Sequence, residues 1–175
     1  MLHAEARRAA RRDAHGAYVP LAEQDTALWD AGRIEEAEAL LLRAAAMSMV
    51  GRYQLEAAIQ SVHASRRITG RSDWAAIELL YQALAAITDS PVAAINHAVA
   101  IAETRGTAAG LERLEALATD KRLADYQPYW AARAELLARR GALEPAAQAY
   151  RRAIGLEADP AVRAFLQRQL ARLAN

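Results

Sequence analysis

Four glycines recur along the chain at nearly equal intervals. The intervals between Gly32, Gly70, Gly106 and Gly141 are 38, 36 and 35 residues, and each glycine lies between two segments with helical periodicity. An interval of this length accommodates two helices and the turn between them. One such pair cannot bury its own apolar face, so neighbouring pairs must stack. The spacing therefore predicts a chain built from stacked antiparallel helix pairs.

The segments between the glycines are predicted to be helical because apolar residues recur every three or four positions. One such stripe consists of Trp74, Ile77, Tyr81 and Leu84. Alanine, leucine, arginine and glutamate, all strong helix formers, dominate the composition. No segment alternates apolar and polar residues over the length of a strand. The pattern thus indicates an all-α protein.

Helix starts are marked by side chains that can cap the first turn. Ser90 and Asp159 are each followed by a proline, which suits the first helical position. Asp25 and Asp73 also stand where a periodic segment begins, and a carboxylate there is favourable against the helix dipole. We therefore expect helices to begin at these four positions.

The last repeat unit shows the strongest pattern. Around Gly141 it places Trp130, Ala146, Tyr150 and Ala153 at the positions where tetratricopeptide (TPR) units use aromatic and small residues. Small residues let the two helices approach closely, and aromatic side chains fill the space to the next pair. The predicted fold is an all-α, right-handed stack of about four TPR-like antiparallel helix pairs, with a flanking helix at each end.

The length of 175 residues favours one domain. Within it, residues 1–20 are expected to form an N-terminal helix and a loop, with residues 13–20 non-helical because they contain Gly16 and Pro20. Residues 21–156 are expected to hold the helix pairs. Residues 157–175 are expected to form a C-terminal capping helix.

Composition excludes several functional classes. The formal net charge of +1 gives no overall attraction to nucleic acid, so direct DNA binding is not expected. The absence of cysteine excludes thiol catalysis, zinc–thiolate sites and disulfides, and is typical of a reducing cytoplasm. No apolar segment is long enough to serve as a signal peptide or to span a membrane. We therefore expect a cytoplasmic protein.

Motifs of enzymes and metal sites are missing from the sequence. It contains no HExxH, no glycine-rich phosphate loop, no GxSxG and no zinc-ligand spacing. The four histidines are scattered, with no pair at i and i+4. The sequence predicts a protein that is not an enzyme and that uses neither a metal nor a cofactor.

Two polar segments are candidate binding sites. Residues 23–30, EQDTALWD, place Gln24 and Asp25 close to Trp29, although packing between helices is the more ordinary role of that tryptophan. Asn96 and His97 interrupt an otherwise apolar helix. A buried polar side chain needs a hydrogen-bond partner, which is either a neighbouring helix or a bound ligand.

The N-terminal arginines could contact phosphate, but they form no recognised motif; they are Arg7, Arg8, Arg11 and Arg12.

Five ordered blocks, which together extend over essentially the whole chain, carry a family resemblance. They read ARRAARRDAHGAYVPLAEQDTALWD, GRYQLEAAIQSVHA, SDWAAIELLYQAL, SPVAAINHAVAIAETRGTAAGLERL and RAELLARRGALEPAAQAYRRAIGLEADPAVRAFL. In this order they resemble the C-terminal TPR-like extension of one group of extracytoplasmic-function sigma factors of RNA polymerase. Two arginines of the family pattern are replaced here, by Thr26 and His97, and the family's Glu-Arg pair near the end appears as Val162-Arg163.

The resemblance implies a regulatory domain that modulates transcription initiation. Its implied partners are sigma-factor domains 2 and 4 in the same protein and RNA polymerase, with an unknown protein or ligand as the signal. Neither promoter-binding domain is present in this chain. The resemblance favours Gln24, Asp25 and Trp29 as binding residues, with weaker candidates Tyr53, Gln54, Asn96 and His97.

Two alternatives remain open from the sequence. The helix repeat alone is compatible with a stand-alone TPR-like scaffold that binds extended peptides on a concave surface. Polar groups within helices are compatible with a small-molecule sensor.

Overall fold

The computed structural model describes residues 2–47 and 50–174, which divide into two compact units, Met1–Asp89 and Ser90–Asn175. About 75% of the described residues are helical, and no strand occurs among them. Neighbouring helices pack as pairs. The prediction of an all-α fold made of helix pairs is therefore confirmed, whereas the prediction of one domain over residues 1–175 stays a prediction.

The first unit contains five α-helices in the described residues. They are α1 (Leu2–Ala6), α2 (Ala31–Ala45), α3 (Arg52–Ala64), α4 (Arg66–Thr69) and α5 (Trp74–Ile87). Helix α3 packs against α1, α2 and α5. Short 3-10 turns connect α1 to α2, at Arg8–Arg11, Leu21–Glu23 and Thr26–Leu28.

The second unit also contains five α-helices in its described part. They are α6 (Pro91–Arg105), α7 (Thr107–Glu115), α8 (Gln127–Arg139), α9 (Leu143–Leu156) and α10 (Pro160–Arg172). Each packs against the next, and α6 also contacts α8. The predicted C-terminal helix is thus confirmed as α10, which lies on α9.

The second unit has an apolar core that explains its repeat pattern. Ala146, Tyr150 and Ala153 of α9 are all at most 2% exposed. The Tyr150 hydroxyl donates a hydrogen bond to Glu135 Oε2 at 3.0 Å, which compensates the burial of its oxygen. Trp130 packs against the same core from its edge. The predicted packing roles in the last repeat unit are confirmed.

Three of the four repeat glycines lie between helices as predicted. Gly70, Gly106 and Gly141 have φ values of 73°, 97° and 79°, in a region that glycine adopts without steric cost. Gly32 is the exception, because it lies in the first turn of α2. The residues before it are held in 3-10 turns rather than in a helix, so no helix precedes it directly.

The predicted helix starts are correct at three of four positions. The side chains of Ser90, Asp73 and Asp159 accept hydrogen bonds from first-turn amides of α6, α5 and α10. The prediction for Asp25 is wrong: this residue caps only the 3-10 turn Thr26–Leu28. Helix α2 begins later, where Asp30 Oδ1 accepts the Arg33 amide at 3.0 Å.

The predicted N-terminal helix and loop are confirmed in outline. Residues 13–20 contain no helix; Gly16 has a φ of 78°, and Arg12 pairs with Tyr18 in an isolated antiparallel bridge. In the described parts of the chain, no helix is long and apolar enough to cross a membrane.

Candidate functional site

Arg7 and Arg66 lie over the Trp29 indole in the first unit, and Gln24 and His63 lie close to these arginines. We call Arg7, Gln24, Trp29, His63 and Arg66 the Trp29 cluster. The guanidinium carbons of Arg7 and Arg66 lie 5.7 Å and 5.1 Å from the indole ring centre. A cation at such a distance over an indole is attracted by the ring. The single indole therefore holds two positive charges close together.

The local fold brings the cluster together from separate segments. Arg7 directly follows α1, and Trp29 ends the 3-10 turn Thr26–Leu28. Arg66 lies in the first turn of α4 and donates hydrogen bonds to the Ala22 and Gln24 carbonyls, both at 2.9 Å. Arg66 thereby fixes the non-helical segment before α2 against α4.

Three buried polar atoms of the cluster have no hydrogen-bond partner within the described structure. They are Arg7 Nη1, Gln24 Oε1 and Trp29 Nε1, and their residues are 8%, 9% and 4% exposed. Arg7 does donate through Nη2 to Gln60 Oε1, and Gln24 donates through Nε2 to the Val19 carbonyl. Buried polar groups are normally paired, so three unpaired atoms in one cluster are unusual.

Burial and charge change the acid–base properties of the cluster. Burial, together with the positive charges of Arg7 and Arg66, lowers the pKa of His63 to about 4. Burial and the neighbouring arginines likewise lower the pKa of Arg7 to about 10. At neutral pH Arg7 therefore keeps its charge, whereas His63 is neutral. No carboxylate forms an ion pair with either arginine in the described ranges.

Asp25, which the sequence analysis named as a binding residue with Gln24 and Trp29, has a local structural role. Its Oδ1 accepts the Ala27 amide at 2.9 Å, and the residue is exposed. Of the predicted binding residues, the Trp29 cluster therefore contains Gln24 and Trp29, whereas Asp25 shapes the turn between them.

Tyr53 and Gln54 belong to a second surface of the same unit. They border a groove of about 360 Å³ between α2 and α3, which is also lined by Leu2 and His3 of α1 and which we call the α2–α3 groove. Tyr53 is 79% exposed and Leu40 is 42% exposed at its edges. Gln54 Oε1 accepts the Gly51 amide at 2.9 Å and so serves to cap α3. The groove is mainly apolar, with walls that include Leu40, Leu41 and Ala44 of α2 and Ala57 of α3.

Asn96 and His97 lie in the second unit, on neighbouring positions of α6. Asn96 is half-buried and His97 is 9% exposed. Both residues stay predicted binding residues. For the parts of the chain that the structure describes, no three His, Cys, Asp or Glu side chains are grouped so that they could hold a metal ion.

Sequence reasoning missed two members of the Trp29 cluster. Arg66 and His63 are far from Trp29 in sequence and carry no motif, so no local pattern identified them. Arg7 was one of four N-terminal arginines, and its burial distinguishes it from Arg8, which has an 81% exposed side chain. Only the packing of α1 and α3 with the turn before α2 shows which arginine is enclosed.

Comparison with known proteins gives two matches. Residues 1–45 match DUF6596, a family of unknown function that is found in sigma-factor-like proteins. An uncharacterised protein of Rhizobium meliloti (strain 1021) is 40% identical over 172 residues, which are 98% of this chain and 40% of that protein. The chain thus spans about two fifths of the relative's length. No solved structure is significantly similar.

Proposed function

We propose that this chain is the regulatory, protein-interaction domain of an extracytoplasmic-function sigma factor. It acts in the cytoplasm without catalysing a reaction. The observation that carries the proposal is the match of residues 1–45 to a domain found in sigma-factor-like proteins. The similarity to part of a much longer relative supports a domain that works beside other domains.

The proposed mechanism is docking. The helical domain binds sigma domains 2 and 4 or RNA polymerase, and a signal that favours the bound or the free state shifts transcription initiation. The α2–α3 groove supports this mechanism because it offers apolar surface, with Tyr53 at 79% exposure, on two packed helices. Exposed apolar and aromatic side chains grouped in this way suit a protein partner.

Binding to defined partners tests the proposal. The full chain is immobilised and exposed to core RNA polymerase and, separately, to the part of the Rhizobium meliloti relative outside the matched region. We expect saturable binding to at least one of them. Leu40→Glu places a charge at the groove edge and is expected to weaken binding about tenfold or more. Binding to neither partner contradicts the proposal.

A matched control separates the groove from general surface effects. Leu143→Glu changes the same residue type at a comparable exposure, 50% against 42%, but in the second unit. We expect it to bind like the unchanged chain. Circular dichroism of both variants shows whether each keeps its helix content. An equal loss in both variants removes the groove from the proposed docking surface.

The α2–α3 groove also favours a second candidate function, a stand-alone scaffold for extended peptides. In that case the chain binds short apolar peptides and neither of the two partners above. The same immobilised chain, exposed to a peptide library, distinguishes the two functions.

A further inference from the structure

The Trp29 cluster holds two positive charges without a negative one. Arg7 is 8% exposed, Arg66 is half-buried, and no described carboxylate pairs with either guanidinium. A buried charge is unfavourable unless a counter-charge and hydrogen bonds compensate it. The attraction of the indole ring offsets only part of this cost. An anion bound in the cluster would supply the counter-charge that the described carboxylates do not.

We propose that the Trp29 cluster binds a carboxylate whose neighbouring group carries an N–H. Such a ligand is either an N-acylated amino acid or the C-terminus of a peptide. The proposal concerns the first unit alone and does not depend on the proposed function.

The unpaired atoms match this ligand in type and number. Arg7 Nη1 and Trp29 Nε1 are donors, one for each carboxylate oxygen, and Gln24 Oε1 is an acceptor for the neighbouring N–H. Arg66 supplies charge, while its own Nη1 and Nη2 are already bonded to the Ala22 and Gln24 carbonyls. His63 is neutral, so it does not add a third positive charge.

The small number of free donors favours a carboxylate over a phosphate. A phosphate group brings more oxygens than the two free donors can satisfy. An oxygen left without a partner in a buried site costs binding free energy. A planar carboxylate uses both donors and leaves no oxygen unpaired.

The ligand must reach atoms that are covered in this structure. Trp29 borders a surface cavity of about 410 Å³, whose rim includes Arg8 and Arg33. Both rim arginines are engaged in surface ion pairs, with Glu5 at 3.6 Å and Asp30 at 3.2 Å. Exposed ion pairs of this kind are weak, so the rim can open at little cost. Binding is therefore coupled to a movement of the rim or of the turn Thr26–Leu28.

Thermal unfolding with small probes tests the site. A ligand that binds only the folded chain raises its Tm in a saturable way. We expect N-acetylglycine to raise the Tm more than acetate does, because acetate lacks the N–H. All samples are brought to the same ionic strength with a chloride salt. N-acetylglycinamide, which lacks the charge, is expected to have no effect. A tripeptide with a free C-terminus, compared with its amide, shows whether peptides are also accepted.

Variants link the response to the cluster. Arg7→Met is expected to abolish the response to N-acetylglycine, whereas Arg43→Met, the same change at an exposed arginine of α2 that borders neither the cluster nor the cavity, is expected to keep it. If Arg7→Met does not fold, the test uses Trp29→Phe instead. This substitution removes the Nε1–H but keeps an aromatic ring. We expect Trp29→Phe to weaken the response to N-acetylglycine several-fold.

Two results overturn the proposal. One is the absence of a saturable rise in the Tm of the unchanged chain beyond that caused by chloride. The other is a response in Arg7→Met, or in its replacement Trp29→Phe, that equals the response of the unchanged chain.

Discussion

His63 is a neutral histidine beside two arginines in the first unit. His63 contacts the Trp74 ring edge-on, with ring centres 5.9 Å apart, and lies in the field of Arg7 and Arg66. Burial is the main cause of its low pKa, and the two positive charges add to it. Protonation of this ring would bring a third positive charge into the same place.

The low pKa of His63 predicts a loss of stability in mild acid. It is about 4 in the folded protein, against 6.5 for an unperturbed histidine. Above pH 6.5 neither state binds the proton. As the pH falls from 6.5 to 4, the unfolded chain takes up a proton that the folded chain does not. The free energy of unfolding therefore falls, by on the order of 3 kcal/mol in total.

Denaturant unfolding at a series of pH values measures this effect. His63→Phe keeps a ring against Trp74 and is expected to lack the part of the pH dependence that comes from His63. His15→Phe, in the exposed loop of residues 13–20, serves as the control and is expected to keep it. Equal pH dependence of the unchanged chain and His63→Phe would show that His63 does not titrate as described.

At the scale of the helices, close contact between neighbours depends on small residues. Where α6 meets α7, Gly110 faces Ala98 and Ala102 of α6, all three of them buried. A Cβ atom at Gly110 would lie 2.7 Å from the Ala98 carbonyl oxygen and 2.8 Å from Ala102 Cα. Both are backbone atoms that cannot move without displacing α6. The distance between the two helices is thus set by a residue without a side chain.

Gly110→Ala is therefore expected to destabilise the protein, although alanine favours helices. Overpacking of this kind costs about 1–3 kcal/mol, more than the roughly 1 kcal/mol that alanine gains in a helix. Gly155→Ala in α9 is the matched control, because a Cβ atom there meets nothing within 4 Å. We expect Gly155→Ala to be neutral or stabilising in thermal unfolding. Similar effects of the two substitutions would contradict the proposed contact.

At the scale of the whole chain, the two units have separate sets of buried residues. The apolar core of the second unit contains residues from Ile95 to Leu166, most of them on helices α6 to α10. In the first unit, a smaller apolar cluster surrounds Trp29, with Ala6, Ala10, Ile34 and Ala64 as its other buried members. A unit with its own core can fold without help from other parts of the chain.

Residues 90–175, expressed alone, are therefore expected to fold. We predict a helical circular dichroism spectrum and a single cooperative thermal transition, because the whole core around Tyr150 is retained. Tyr150→Ala in the same fragment removes a fully enclosed ring and is expected to cost about 3–5 kcal/mol, by analogy with other buried aromatic residues. A fragment that is helical but unfolds without cooperativity would favour the single-domain prediction.

The sequence by itself determined the features that depend on neighbours along the chain. Helix periodicity, the caps at Ser90 and Asp159, and the turn at Gly141 are decided within a few residues, and all were predicted correctly. The packing of Ala146 and Tyr150 also followed from the repeat pattern. At Asp25 a local signal was misleading, since a capping aspartate begins a 3-10 turn as well as a helix.

Only the tertiary structure decided the composition of the Trp29 cluster. Arg7, His63 and Arg66 come from separate segments, and their sequence neighbourhoods do not distinguish them from surface residues. Their burial, their missing counter-charge and the low pKa of His63 arise from contacts between segments distant in sequence. Such contacts depend on how α1, α3 and the turn before α2 pack together, and no periodicity in a single sequence records that arrangement.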